Sequence, residues 1–188
     1  MDISVKYNSM KRSTVNQAVK QAMDFFNKHH WHLPPEPRWD VTDFGLGQFD
    51  KFGLVLINLT EQKEYCEKLM YARKGMTTPC HYHKKKKEDI IVRNGKLAIQ
   101  VWHTDPAATT EGATFSLKID GILAKIYSGD ILSLESGQRV TLEPGIYHEF
   151  YPLSEECIIG EVSTANDDLH DNFFTDPDIG RFSEIIED

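Results

Sequence analysis

Upstream of residue 54 the apolar positions recur at helical spacing, and downstream they come in short runs broken by turn residues. Over Thr14 to Lys28, the residues Val15, Ala18, Val19, Ala22, Phe25 and Phe26 fall on one helical face, with Ser13 or Thr14 placed as N-cap. This spacing predicts an amphipathic helix. Pro34, Pro35 and Pro37 then forbid its continuation, so an extended arm follows in which Trp31 and Trp39 pack on the body. From Leu54 the runs are rich in Val, Ile, Leu, Phe and Tyr. Eleven strands can be marked, near 54–59, 64–73, 78–83, 88–93, 96–102, 115–119, 122–127, 130–134, 139–142, 146–151 and 157–162. Asn94-Gly95 and Asp120-Gly121 read as hairpin turns, because a type I′ turn needs positive φ at both central residues. Ser128-Gly129-Asp130 and Ser136-Gly137 mark further breaks between runs. Such close spacing suggests an all-β sandwich or barrel.

The chain has 188 residues, which fits one domain able to bury a core without disulfides. We expect a helix and arm over about 1–53, a barrel over about 54–163 and a C-terminal wrap over 164–188, where Phe173, Phe174 and Phe182 return to the barrel. A formal charge of −8 disfavours a nucleic-acid partner. The one basic run, Lys84 to Lys87, reads as a solvated turn. Three cysteines, Cys66, Cys80 and Cys157, have no CxxC spacing and give no disulfide framework, which fits a reducing compartment. The stretch Met1 to Gln17 lacks an apolar signal core and no run is long enough to span a membrane, so a soluble, cytoplasmic protein is expected.

The candidate chemistry lies in His81-x-His83-x4-Glu88 and, sixty residues on, His148 after Pro144-Gly145. Alternation puts His81 and His83 on one face of a strand with Cys80 and Tyr82 on the other. Glu88 is an odd five residues past His83, so the lysine run must contain a turn or bulge if both are to face the same way. Three imidazoles and a carboxylate suit a divalent transition metal and leave positions for a substrate. Five further histidines, at 29, 30, 32, 103 and 170, show no such pattern.

The two motifs, His81-x-His83-x4-Glu88 and Pro144-Gly145-x2-His148, resemble the signature motifs of the cupins, which implies a jelly-roll, or double-stranded β-helix, barrel with a metal at its centre. The surroundings resemble more narrowly the bacterial D-lyxose isomerase family of cupin sugar isomerases. The matching residues are Tyr65 to Leu69, Lys74 to Pro79, Lys87 to Ile91, Glu161 to Ser163, Asn166 to Asp168, and Gly180-Arg181-Phe182-x-Glu184. Met76 departs from that pattern, which has Gln there. The resemblance implies interconversion of D-lyxose and D-xylulose, with D-mannose and D-fructose as secondary substrates, dependent on Mn2+ or a similar ion and passing through an enediol. It further implies that Lys68 and Glu184 lie near the chemistry beside Glu88, and that Asp168 and Arg181 bind sugar hydroxyls. A homodimer formed through an outer sheet is expected. An Fe(II) cupin dioxygenase, a sugar-binding module without turnover and a phosphosugar isomerase stay open as alternatives.

Overall fold

The computed structural model describes residues 9–164 and 166–188, so the expectation for the first residues falls largely outside the described part. A short strand β1 (Met10–Lys11) leads into helix α1 (Arg12–Lys28). There follow β2 (Trp39–Thr42), the one-turn helix α2 (Phe49–Phe52), β3 (Leu54–Glu61), β4 (Tyr65–Arg73), β5 (Thr78–Tyr82), β6 (Glu88–Asn94) and β7 (Lys96–Trp102). The second half runs β8 (Thr114–Ile119), β9 (Ile122–Tyr127), β10 (Ile131–Glu135), β11 (Arg139–Leu142), β12 (Tyr147–Pro152) and β13 (Glu156–Thr164), then β14 (Phe173–Phe174) and β15 (Ile185–Ile186). Every strand marked from Leu54 to Val162 is present; β2 and the two-residue strands β1, β14 and β15 are too short or too tied to distant partners to be read locally.

Two sheets face each other. One has eight strands in the order β2-β3-β4-β13-β6-β11-β8-β9, the other five in the order β10-β7-β12-β5-β14. From β4 to β8 and again from β9 to β14 successive strands cross from one sheet to the other, which is the jelly-roll pattern. This corrects the reading of Asn94-Gly95. It is no hairpin, since β6 pairs with β11 and β13 while β7 pairs with β10 and β12. Gly95, at φ 96°, turns the corner between sheets, and a Cβ there would lie 2.5 Å from Ser154 Oγ and 2.8 Å from the Glu156 carbonyl oxygen. Asp120-Gly121 does join a hairpin, β8 to β9, with φ values of 52° and 80° as a type I′ turn needs.

The run Leu54 to Ile57 is apolar on both parities because its sheet is covered on both faces. Leu54, Leu56, Met70, Ala72 and Ile159 point into the barrel, whereas Val55, Ile57, Leu69, Tyr71 and Ile158 pack against Val15, Ala18, Ala22, Phe25 and Phe26 of α1. Trp31 and Trp39 pack at the margin of this second cluster.

The expected N-cap is not used. The helix begins at Arg12, and neither Ser13 nor Thr14 caps it; instead the Ser13 N–H and hydroxyl donate to the Asp188 carboxylate at 2.9 and 2.5 Å. A carboxylate from the far end of the chain thus satisfies a free amide at the positive end of the helix dipole. Beside it β15 pairs with β1. No described helix is long and apolar enough to cross a membrane.

Candidate metal centre and active site

β5 and β12 are antiparallel neighbours with His81 opposite His148, so pairing alone brings two distant imidazoles together. Glu88 opens β6 in the facing sheet. One ligand atom from each of His81, His83, Glu88 and His148 lies within 4.8 Å of the others, and all four side chains are buried. Each imidazole is oriented through its other nitrogen. Nδ1 of His81 donates to the Pro79 carbonyl at 2.8 Å, Nδ1 of His148 to the Ile146 carbonyl at 3.1 Å, and Nδ1 of His83 to the Asp171 carbonyl. Every Nε2 is thereby left with its lone pair turned to the centre, the arrangement that metal-ligating histidines adopt.

Nε2 of His83 and of His148 and both Glu88 oxygens are buried without a well-directed hydrogen bond, although Glu88 Oε1 lies 3.0 Å from His148 Nε2. Buried polar atoms without a directed hydrogen bond are rare, and two imidazole nitrogens so placed around a buried carboxylate fit a divalent cation. Burial, reinforced by His148 and His83, holds the His81 pKa well below the ordinary histidine value, so the ring stays neutral and able to ligate. Burial alone would push the Glu88 carboxyl up, but Lys86 and His83 outweigh it and hold it well below the usual carboxylate range.

The turn between His83 and Glu88 is present and exposes Lys84 and Lys85, but Lys86 departs from the expected solvated run. Lys86 is 5% exposed, with Nζ 2.8 Å from Glu88 Oε2 and 3.0 Å from Glu161 Oε1. The even spacing of 86 and 88 could have shown this, since both face the same way once the chain is extended. The same turn is tied by Asp171, whose carboxylate accepts the backbone N–H groups of Lys84, Lys85 and Lys86 at 2.9, 3.1 and 2.9 Å. Nothing in the local sequence marks Asp171 for this task.

Glu161, noted above only as part of a motif, lines the cavity beside Glu88, 6% exposed and 3.7 Å from Lys68 Nζ. Its own burial would raise its pKa, but Lys68 and Lys86 keep it below the ordinary value. Lys68 lies in the cavity too and donates to Asn166 Oδ1 at 2.9 Å and Asp168 Oδ1 at 3.0 Å. Arg181 lines the same cavity, its Nη2 held by Asp40 at 2.7 Å and Asp168 at 3.4 Å, while its buried Nη1 has no partner.

Glu184 is not brought to the site. After Gly180 burial alternates, with Arg181 and Ser183 half-buried and Phe182 and Glu184 exposed. Met76 is 2% exposed and packs in the barrel core, with its Sδ accepting the Arg73 N–H at 3.4 Å. A wider groove of about 660 Å³ between α1 and α2, lined by Met10, Gln17, Gln48 and Arg73 among others, holds none of the four ligands.

A jelly-roll barrel with three histidines and a glutamate converging inside it defines the cupin class of metal-site protein. A family profile described as D-lyxose isomerase matches residues 36–188. The chain is 35% identical to the D-lyxose/D-mannose isomerase of Escherichia coli O157:H7 over 95% of this chain and 93% of that protein. It is 29% identical to the D-lyxose ketol-isomerase of Cohnella laeviribosi, over 94% and 98% respectively. Among solved structures, L-ribose isomerase from Cellulomonas parahominis superposes with a TM-score of 0.72 at 16% identity, covering 96% of this chain and 100% of that one, a likeness of fold. The chain belongs to the D-lyxose isomerase family.

Proposed function

We propose that this protein is a metal-dependent aldose–ketose isomerase that interconverts D-lyxose and D-xylulose, with D-mannose and D-fructose as secondary substrates. The observation that carries this reading is the placement of a lysine-flanked carboxylate, Glu161, in the same buried cavity as the four converging ligand side chains. The names of the relatives supply the sugar. His81, His83, Glu88 and His148 would hold a divalent ion, with Mn2+ the expected one, which would supply Lewis acidity to the carbonyl of an open-chain sugar.

The chain's own residues do the rest. Glu161, kept ionised by the lysines on either side, removes the proton from C2 to leave an enediolate and returns it to C1, while the hydroxyl proton of O2 passes to O1. Lys86 joins Glu161 to Glu88 and keeps the base beside the ligand set. Lys68 fixes Asp168 and offers N–H donors at the cavity wall. Arg181 Nη1 donates to a sugar hydroxyl, since it is the buried donor there without a partner. Two carboxylates already balance the Arg181 charge and Lys86 is enclosed, so neither is free for a phosphate, which favours a neutral sugar over a phosphosugar.

The protein functions in the reducing cytoplasm, in keeping with its free cysteines, and as a homodimer. The dimer forms through the outer edge where β9 ends one sheet and β10 the other, a place that exposes Ile122, Leu123, Tyr127 and Ile131. Light scattering should give twice the chain mass, and Leu123→Lys should halve it; a monomeric wild type rules the dimer out.

The function is tested with a panel of free pentoses and hexoses, with Mn2+ and after EDTA. D-lyxose and D-mannose share the C2 configuration, so both should react, the pentose with the larger kcat/KM, and D-xylose and D-glucose poorly. EDTA should abolish turnover. No reaction of either sugar with metal bound would sink the proposal.

A further inference from the structure

The residue thought to bind the sugar, Arg181, sits on a C-terminal segment with little regular structure, so something must hold it still. Two residues of β2 do so. Asp40 and Thr42 are two apart and therefore face the same way. Asp40 accepts from Arg181 Nη2 at 2.7 Å, and the Thr42 hydroxyl donates to the Arg181 carbonyl oxygen at 3.0 Å. Val41, between them, turns to the opposite side and packs with the α1 cluster. The arginine is gripped at both its guanidinium and its backbone by one strand face.

Around this grip runs a second set of bonds. Ser183 Oγ donates to Asp43 Oδ1 at 2.5 Å and accepts the Asp43 N–H at 2.9 Å, while Gly180 N–H donates to the Phe44 carbonyl at 3.1 Å. The Thr42 hydroxyl also accepts the Phe44 N–H at 2.9 Å, so it spans the segment that faces Gly180 and Ser183. Thr42 is fully buried. A buried hydroxyl that both donates and accepts is costly to lose, because its removal strands two buried partners.

We infer that Thr42 and Ser183 are positioning residues for sugar binding: they set where Arg181 Nη1 stands in the cavity, and β2 thereby supports the substrate site although none of its side chains lines the cavity. This rests on the proposal that Arg181 donates to a sugar hydroxyl. A donor displaced by about 1 Å loses most of a hydrogen bond, and because the lost contact lies away from C1 and C2 the effect falls on KM. The metal ligands and Glu161 come from other strands and are unaffected.

The test compares Thr42→Val, Thr42→Ser, Ser183→Ala and Arg181→Lys in the full chain with Mn2+, following D-lyxose isomerisation, metal content and Tm. Thr42→Val and Ser183→Ala should raise KM about tenfold, leaving kcat within about twofold and metal content unchanged. Thr42→Ser, which keeps the hydroxyl, should restore KM. Combining Thr42→Val with Arg181→Lys should raise KM little beyond Arg181→Lys alone, since both act through one contact. If Arg181→Lys raises KM but Thr42→Val and Ser183→Ala do not, or if they lower Tm alone, the positioning role is refuted. If Arg181→Lys itself leaves KM unchanged, it is the assignment of Arg181 to the sugar that fails.

Discussion

Along β6 the inward residues run Glu88, Ile90, Val92, and along β13, read from its far end, Glu161, Ile159, Cys157. On β4 they run Lys68, Met70, Ala72, and on β12 His148, Phe150. Each strand thus carries its charge or imidazole at one end of the barrel interior and only apolar atoms at the other. The apolar end, with Val92, Leu97, Ile99, Leu134 and Val140 fully or almost fully buried, is an ordinary close-packed core that fixes the two sheets. The polar end is different in kind. Its charges are buried as deeply, and they are tolerated because each carboxylate has a cation beside it or a metal to receive it. Stability is concentrated at one end and chemistry at the other, on the same strands and only two residues apart.

The sharpest way to break that contrast is to damage the polar end without touching the apolar one. His148→Ala should remove the bound metal and lower kcat/KM at least about a thousandfold, and Glu161→Gln should lower kcat by about 10²–10⁴ while metal content stays near one ion per chain. Metal analysis of the purified variants beside steady-state kinetics separates the two. Full metal content in His148→Ala would disprove the ligand set, and kcat within twofold in Glu161→Gln would take that carboxylate out of the reaction.

The reciprocal change is Leu97→Ala at the apolar end, where the side chain is fully buried. It should cost about 3 kcal/mol of stability, near 10 °C in Tm, because it leaves a cavity that close packing cannot refill. Assayed well below its Tm, the variant should keep kcat within about twofold. A Leu97→Ala enzyme that stays folded yet loses turnover would show that the two ends are not separable.

Asp168 offers the smallest of these effects and tests whether the buried charges also stabilise. Burial would raise its pKa, but Lys68 and Arg181 outweigh that and hold it well below the usual range. A carboxyl depressed in the folded state contributes stability that is complete above its unfolded pKa of about 3.9 and is lost as pH falls through the lower folded value. The Tm of the wild type should therefore drop more steeply between about pH 5 and pH 3 than that of Asp168→Asn, which starts a few degrees lower at neutral pH. Parallel curves would mean that Asp168 contributes nothing to acid stability.

The alternating apolar runs and their breaks were enough to place the strands of the barrel, and the spacing His81, His83, Glu88 with His148 after Pro144-Gly145 was enough to name the four side chains that converge as a candidate ligand set, because strand periodicity and turn chemistry are local properties. The odd spacing between His83 and Glu88 even required the turn that Asp171 ties down. What the local pattern could not hold was the choice of partner. Asn94-Gly95 has the composition of a hairpin, and only the pairing of β6 and β7 with other strands makes it a corner between sheets. Lys86 stands in a run of four lysines that reads as solvent-facing, and it is buried because Glu88 and Glu161, one of them on a strand 75 residues away, neutralise it together. Glu184 and Glu161 are equally acidic in the sequence. Side-chain parity on two segments set by long-range contacts turned the first outward and the second into the cavity. A charge can be enclosed only where its counter-charge also arrives, and that coincidence belongs to the assembled barrel rather than to any stretch of the chain.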